Sequence, residues 1–201
     1  RRFVHYDYWD NRLRKPILFD SRADILVYGS AEKQILEIAE RIKNKKDLKN
    51  ILGTCIISKE LFPDFIELPS YDDVVNSKEK FCDMQNLFSN NKNLAQKIDN
   101  RYVLQYKSPV YTSKDLDNYY ELPFTREVPK ELRGFQFSVV THRGCIGECN
   151  FCSLSLTQGN RIISRSEKSI LKEIKNLTKF KYFKGNVDDL GGPSANMYGM
   201  D

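Results

Sequence analysis

Three cysteines fall within one short stretch of this chain, Cys145-Ile146-Gly147-Glu148-Cys149-Asn150-Phe151-Cys152. Their spacing is C-x3-C-x2-C, with an aromatic residue directly before the last sulfur. Thiolates are soft ligands that suit zinc or iron–sulfur clusters. A closed structural zinc site takes four ligands, and this motif supplies three. His142 lies three residues before Cys145 and is a conceivable fourth, which would give a Cys3His zinc site. Zinc sites more often spread two ligand pairs over two separate turns, whereas these four candidates crowd one segment. An iron–sulfur cluster needs no fourth protein ligand when a second molecule supplies it. The spacing therefore favours a cluster with one open iron and keeps zinc as the alternative. Three metal-free thiols so close together would be prone to oxidation.

The loop needs a scaffold on both sides. Phe135, Phe137 and Val139 alternate with Gln136 and Ser138, which predicts a strand running into the cysteines. Ser166-Glu167-Lys168 starts a helix carrying Ile170, Leu171, Ile174 and Leu177 on one face. Gly185–Leu190 reads as the next strand and ends in Gly191-Gly192-Pro193. Strand, helix, strand predicts a parallel β-α-β unit. Both the cysteine loop and the glycine pair then fall at carboxyl ends of strands, the edge where such folds place their sites. His142 and Arg143 would satisfy strand-end carbonyls or offset the charge of a cluster.

Upstream, Asp24-Ile25-Leu26-Val27-Tyr28-Gly29 reads as a buried strand ending in a glycine turn. Ser30 is placed to cap a helix with Glu32 in its first turn and Ile35, Ile38, Ala39 and Ile42 along one face. A second strand near residues 51–58 is expected to pair parallel with the first, giving a Rossmann-like half. Gly29 alone is not a G-x-G-x-x-G fingerprint, so β-α packing explains it without a nucleotide. Apolar residues from Val74 to Phe88 recur at helical spacing, and Leu94, Ala95 and Ile98 extend that helix in this reading. Residues 101–106 read as a strand, and Ser113 as the cap of a short helix. Cys55 and Cys82 read as small core residues. The aromatic run His5–Trp9 reads as packing across a domain face. Pro123 and Pro129 mark a linker, with a domain boundary near residue 134.

The net charge of +5 and pI of about 8.8 are too weak to imply nucleic acid. No apolar run reaches the roughly 18 residues of a membrane span, and no signal peptide is evident. An odd number of cysteines with three of them clustered argues against a secreted disulfide framework, which favours a reducing cytoplasm. The chain begins without Met and reads as a piece of a longer protein.

The motif C-x3-C-x-Φ-C, with Phe151 as the aromatic, resembles the signature of radical S-adenosylmethionine (SAM) enzymes. The surrounding sequence resembles the YgiQ-like branch of that family. The matching stretches are His5–Trp9, Ala23–Gly29, Glu67–Tyr71, Arg143-Gly144-Cys145, Gly159–Ser166 and Asp189–Tyr198. The resemblance implies an α/β chain with two parts. Residues 1–134 would form a Rossmann-like, cobalamin-binding-like region with a helical linker. Residues 135–201 would form the first β-α-β unit of a partial TIM-type radical SAM barrel. It also implies that Cys145, Cys149 and Cys152 ligate a [4Fe–4S] cluster whose fourth iron is chelated by SAM. Reductive cleavage of SAM would give methionine and a 5′-deoxyadenosyl radical that abstracts hydrogen from a substrate. Phe151 would lie near the adenine, and Gly191 and Gly192 would contact the methionyl amino group. The electron would come from a donor such as a flavodoxin or ferredoxin. Three departures stand out. The family pattern often continues with Glu after the glycine pair, where this chain has Pro193. No D-x-H-x-x-G motif supports cobalamin, and most of the barrel, with its substrate pocket, is missing from this length. The competing reading is a non-enzymatic module with a structural iron–sulfur or zinc site.

Overall fold

The computed structural model describes residues 1–201 except Glu148 and Ser194. The chain divides into two compact units, Arg1–Pro109 and Val110–Asp201.

The first unit opens with a hairpin of β1 (His5–Asp7) and β2 (Arg12–Arg14), followed by α1 (Ile17–Ser21). Asp7 accepts the backbone N–H of Trp9 at 3.1 Å and so holds the turn with Tyr8 and Trp9 outward. Trp9 is 90% exposed, so this part of the aromatic run is not packed as the sequence suggests. A mixed five-stranded sheet comes next. It contains β3 (Leu26–Val27), β4 (Thr54–Ser58), β5 (Ile66–Leu68), β6 (Leu94–Ile98) and β7 (Arg101–Gln105), ordered β3-β4-β7-β6-β5. Between β3 and β4 runs α2 (Glu32–Lys43), and between β5 and β6 run α3 (Tyr71–Asn76) and α4 (Lys78–Leu87).

Among the described residues of this sheet, only β5 and β6 pair in parallel, across that helical crossover. β3 pairs with β4 antiparallel, which corrects the expected parallel Rossmann-like pair. The physical reason lies in α2. It buries Gln34 and Ile38, while Ile35, Leu36 and Ile42 stay exposed, so it does not supply the cover that a parallel crossover needs. The helix begins after Ala31 with no side-chain cap, so Ser30 is not its cap.

Alternation within the strands sends Cys55, Leu94 and Val103 to one core and Ile56, Ala95 and Leu104 to the other. Residues 94–98 are a strand, not the expected helix extension. Their polar member, Gln96, is fully buried, accepting from Val4 N–H at 2.9 Å and donating to Pro69 C=O at 2.8 Å. Gln105 is likewise buried, bonded to Arg2 at 2.8 Å and to Ser89 C=O at 2.7 Å. Cys55 is core, as expected, but Cys82 is exposed on α4.

The second unit begins with α5 (Ser113–Tyr120), capped by Thr112 in a reciprocal pair with Asp115. A 3-10 turn spans Lys130–Phe135, where the sequence predicts the start of a strand, and Phe135 faces solvent. Five elements come after it: β8 (Val139–Val140), β9 (His142–Arg143), α6 (Leu154–Gln158), β10 (Ile163–Ser164) and α7 (Glu167–Leu177). The last strand, β11 (Leu190–Gly191), covers only the end of the expected one. β8 and β11 pair in parallel with α7 between them, and β9 and β10 pair antiparallel. Phe137, Val139, Ile170 and Leu177 form the core beneath α7. The linker prolines assign residues 110–134 to the N-terminal part. In the structure, Ser113 donates to Ser164 C=O at 2.5 Å and Asp117 accepts the Ser166 N–H at 3.0 Å, so α5 is stitched into the second unit.

Candidate metal and cofactor site

The cysteine loop leaves β9 at its carboxyl end. Backbone contacts help fix its base. Cys145 N–H donates to Gly159 C=O at 3.0 Å. Gly144 adopts φ +93°, and a Cβ there would stand 1.8 Å from Arg161 C=O, so only glycine admits this approach. Further out, Cys152 N–H donates to Cys149 C=O at 2.9 Å, which turns the chain back on itself. Gly147 N–H donates to Cys145 Sγ at 3.4 Å. A Cβ on Gly147 would lie 3.4 Å from Cys145 Sγ and 3.7 Å from Cys149 Sγ, so both sulfurs flank this residue.

The thiols differ in access. Cys145 is buried, Cys152 half-buried and Cys149 exposed. Among the described residues no three His, Cys, Asp or Glu side chains are already gathered closely enough to enclose a metal ion. The donor set nevertheless fits an iron–sulfur cluster. All three candidate donors are sulfur, two flank one glycine, and a backbone N–H already points at one of them. Such amide–sulfur bonds also tune cluster potentials. Glu148, inside the motif, lies outside the described residues. Phe151 is 93% exposed and open to a ligand.

Gly191 and Gly192 lie at the carboxyl end of β11, beside the end of β8, where Thr141 N–H donates to Gly191 C=O at 2.8 Å. Next to them is a cavity of about 150 Å³ lined by Tyr120, His142, Arg143, Asp189 and both glycines. His142 is fully buried there. Thr141 Oγ1 lies 2.9 Å from its Nδ1, and its Nε2 has no hydrogen-bond partner among the described residues. A Cβ on Gly192 would stand 2.1 Å from that Nε2, so the imidazole occupies the space a side chain at 192 would need. Arg143 donates to Tyr120 Oη at 3.3 Å and lies over its ring.

Sequence reasoning missed the group that holds these strand ends in place. Arg165 is fully buried. It donates to Val140 C=O at 2.6 Å, to Glu173 at 2.5 Å and to Ser169 Oγ at 2.9 Å, and it lies 4.3 Å over the Tyr120 ring. Glu173, on α7, also pairs with Arg126, which in turn donates to Ser138 C=O at 2.8 Å. The helix is thereby tied to the carbonyls of the strand that leads into the cysteines. The available signal was a glutamate interrupting the apolar face of α7.

The chain matches a family model described as radical SAM N-terminal over residues 1–139. It is 44% identical to a UPF0313 protein of Fusobacterium nucleatum over its whole length, which is 38% of that relative. It is 45% identical to a UPF0313 protein of Methanocaldococcus jannaschii, covering all of this chain and 36% of the relative. A UPF0313 protein of Thermotoga maritima is 40% identical over 99% of this chain and 38% of its own length. The chain thus spans rather more than a third of the curated relatives it matches. No helix among the described residues is long and apolar enough to cross a membrane.

Proposed function

We propose that this chain, which belongs to the radical SAM N-terminal family in its YgiQ-like, UPF0313 branch, carries the cluster-binding and SAM-binding start of a radical-generating enzyme. The observation that carries the reading is the C-x3-C-x2-C loop. It leaves the carboxyl end of one strand, while the Gly191-Gly192 turn ends another in the same unit.

Cys145, Cys149 and Cys152 would hold three irons of a [4Fe–4S] cluster. When bound, that cluster would pass one electron to SAM, whose carbon–sulfur bond then breaks to give methionine and a 5′-deoxyadenosyl radical. The protein's part is positioning. Gly147 N–H, already directed at Cys145 Sγ, would stabilise the thiolate. The glycine pair lets backbone approach the methionyl end of SAM without a side chain in the way. Phe151 offers an exposed ring for the adenine. Residues 135–201 would be the first β-α-β unit of the barrel. The groups that choose the substrate are assigned to the part of the relatives this chain does not span. The electron donor would be a flavodoxin or ferredoxin, in a reducing cytoplasm.

Anaerobic reconstitution with iron and sulfide tests this. The expected result is about four irons per chain and a reduced-cluster EPR signal that changes when SAM is added. Cys145→Ala should abolish both, and Cys55→Ala should spare them. A chain that takes up only one zinc would overturn the reading in favour of a structural metal module.

A further inference from the structure

We infer that the outer face of α7 and the segment after it form a docking surface for single-stranded RNA, independent of the SAM chemistry proposed above. The chain's net charge of +5 is small, but it is not spread evenly. Residues 166–186 hold six lysines and two glutamates, so a surplus of four charges sits in about a tenth of the chain. One of the two, Glu173, is buried against Arg165 and does not offset the surface. At 3.6 residues per turn, Lys168, Lys172 and Lys175 fall within about 60° of one another on α7. The segment beyond adds Lys179, Lys181 and Lys184, and all six lysines are exposed. The opposite face of the helix buries Ile170, Glu173 and Leu177. Like charges at i, i+3 and i+4 work against a helix, and a solvated face normally mixes both signs. Lys172 meets Glu121 at 2.8 Å, a surface pair of small worth. Lys168, Lys175, Lys181 and Lys184 have no ion pair among the described residues.

Charge alone suits any polyanion, but the feature beside it suits bases. Tyr182 is 42% exposed, stacks on Phe137 with centroids 5.8 Å apart, and donates its hydroxyl to Thr125 C=O at 2.8 Å. The ring is thus held in place before anything binds. It lines an open cleft of about 670 Å³ together with Arg133, Gln136, Lys184 and Asn186. A ring for stacking, cations for phosphate and amides for base edges are the parts of a single-strand site. Splayed single-stranded bases are the usual target of RNA recognition. A lipid surface would instead need apolar side chains beside the lysines to insert, and on that face of α7 the exposed large apolar residue among those described is Leu171. Asp188, also in the cleft, is engaged by the Phe137 N–H at 2.8 Å. Phe137 and Asp188 precede β8 and β11, so the cleft lies at the amino ends of these strands, away from the glycine turn at the carboxyl end. The surface therefore anchors RNA and takes no part in the proposed chemistry.

The test is fluorescence anisotropy with the full-length protein and a labelled single-stranded RNA of mixed sequence, about 20 nucleotides long. Four phosphate contacts predict that binding weakens about 50-fold between about 50 and 200 mM salt. Lys168→Glu combined with Lys175→Glu should weaken it about tenfold or more and flatten the salt dependence. Both lysines are exposed and Glu is as good a helix former, so the fold is kept. Tyr182→Leu removes stacking but no charge, and should weaken binding about fivefold or more with the salt dependence unchanged. Lys43→Glu combined with Lys46→Glu makes the same charge change at the end of α2 and should stay within about twofold. Duplex DNA of the same length should compete poorly, because its bases are not free to stack on Tyr182. The docking surface is overturned by no binding at micromolar protein and low salt, or by unchanged binding in the Lys168/Lys175 variant. Equal loss in the α2 variant marks diffuse charge and overturns it too, as does equal competition by duplex DNA. Phosphatidylglycerol vesicles that displace the RNA, and that the Lys168/Lys175 variant no longer binds, reassign the surface to a membrane.

Discussion

Cys55 and Cys149 carry the same thiol into opposite surroundings. Cys55 lies in β4 with no solvent exposure, and burial pushes its thiol up to about 12. Cys149 stands exposed on a loop, its sulfur against Gly147. At Cys55 sulfur serves as volume, one more apolar group in a sheet whose two faces are both covered. In the second unit it is held out by a glycine-rich turn where it can form bonds. The strands differ in the same sense. β4, β6 and β7 are five residues each and pair on both sides, whereas β8, β9, β10 and β11 are two residues each and pair on one. A long, doubly paired strand buries its side chains, and a short strand ends early and presents the loop at its carboxyl end.

The contrast can be broken most directly by alkylation. In the folded, metal-free protein, iodoacetamide should modify Cys149 at least ~10³ times faster than Cys55, because Cys55 must wait for global unfolding. Peptide mass spectrometry reads this, and comparable rates would erase the distinction. A smaller but still large effect is expected at Glu173. Its alanine variant leaves Arg165 buried without its partner and should cost about 3–5 kcal/mol in urea unfolding. Amide exchange should rise mainly over residues 110–201, and a uniform rise would show that the two units are not separate in stability. In the sheet, Leu104→Ala opens a cavity at a fully buried site and should cost about 3 kcal/mol, with iron uptake unchanged after refolding. The smallest effect is at the Ser70–Asp73 capping box of α3. Ser70→Ala should cost about 1 kcal/mol by thermal unfolding. Hydrogen bonds from Ser70 hold the Asp73 carboxyl below the usual carboxylate range. Its stabilisation is therefore complete above the ordinary carboxylate pKa and lost as pH falls through the lowered value. In Ser70→Ala that acid-side loss should shrink.

That the cysteines stand on a loop leaving a strand was legible in the sequence because their spacing is a local property. So was α7, where Ser166 accepts the Ser169 N–H at 3.1 Å and begins a helix of regular apolar period. The sheet was not legible for a related reason. Gln96 and Gln105 interrupt the apolar pattern of β6 and β7, and their amides are satisfied by Val4, Pro69, Arg2 and Ser89, most of them far away in sequence. No window along the chain contains those partners. The antiparallel pairing of β3 with β4 was hidden in the same way, because the apolar period of α2 does not say which of its isoleucines will be covered. At the site, Gly191 and Gly192 could be picked out from the sequence alone. The imidazole beneath Gly192 could not, since that contact joins residues on separate strands.

The base of the cysteine loop has a consequence for how the site tolerates change. Arg143 pairs with Ile163 and His142 with Ser164, and the Cys145–Gly159 bond closes the stem above them. These main-chain bonds close the stem from which the loop departs. One methyl group at Gly144 would pry that stem open, so the tolerance of the site to change is lowest at a residue that carries no side chain.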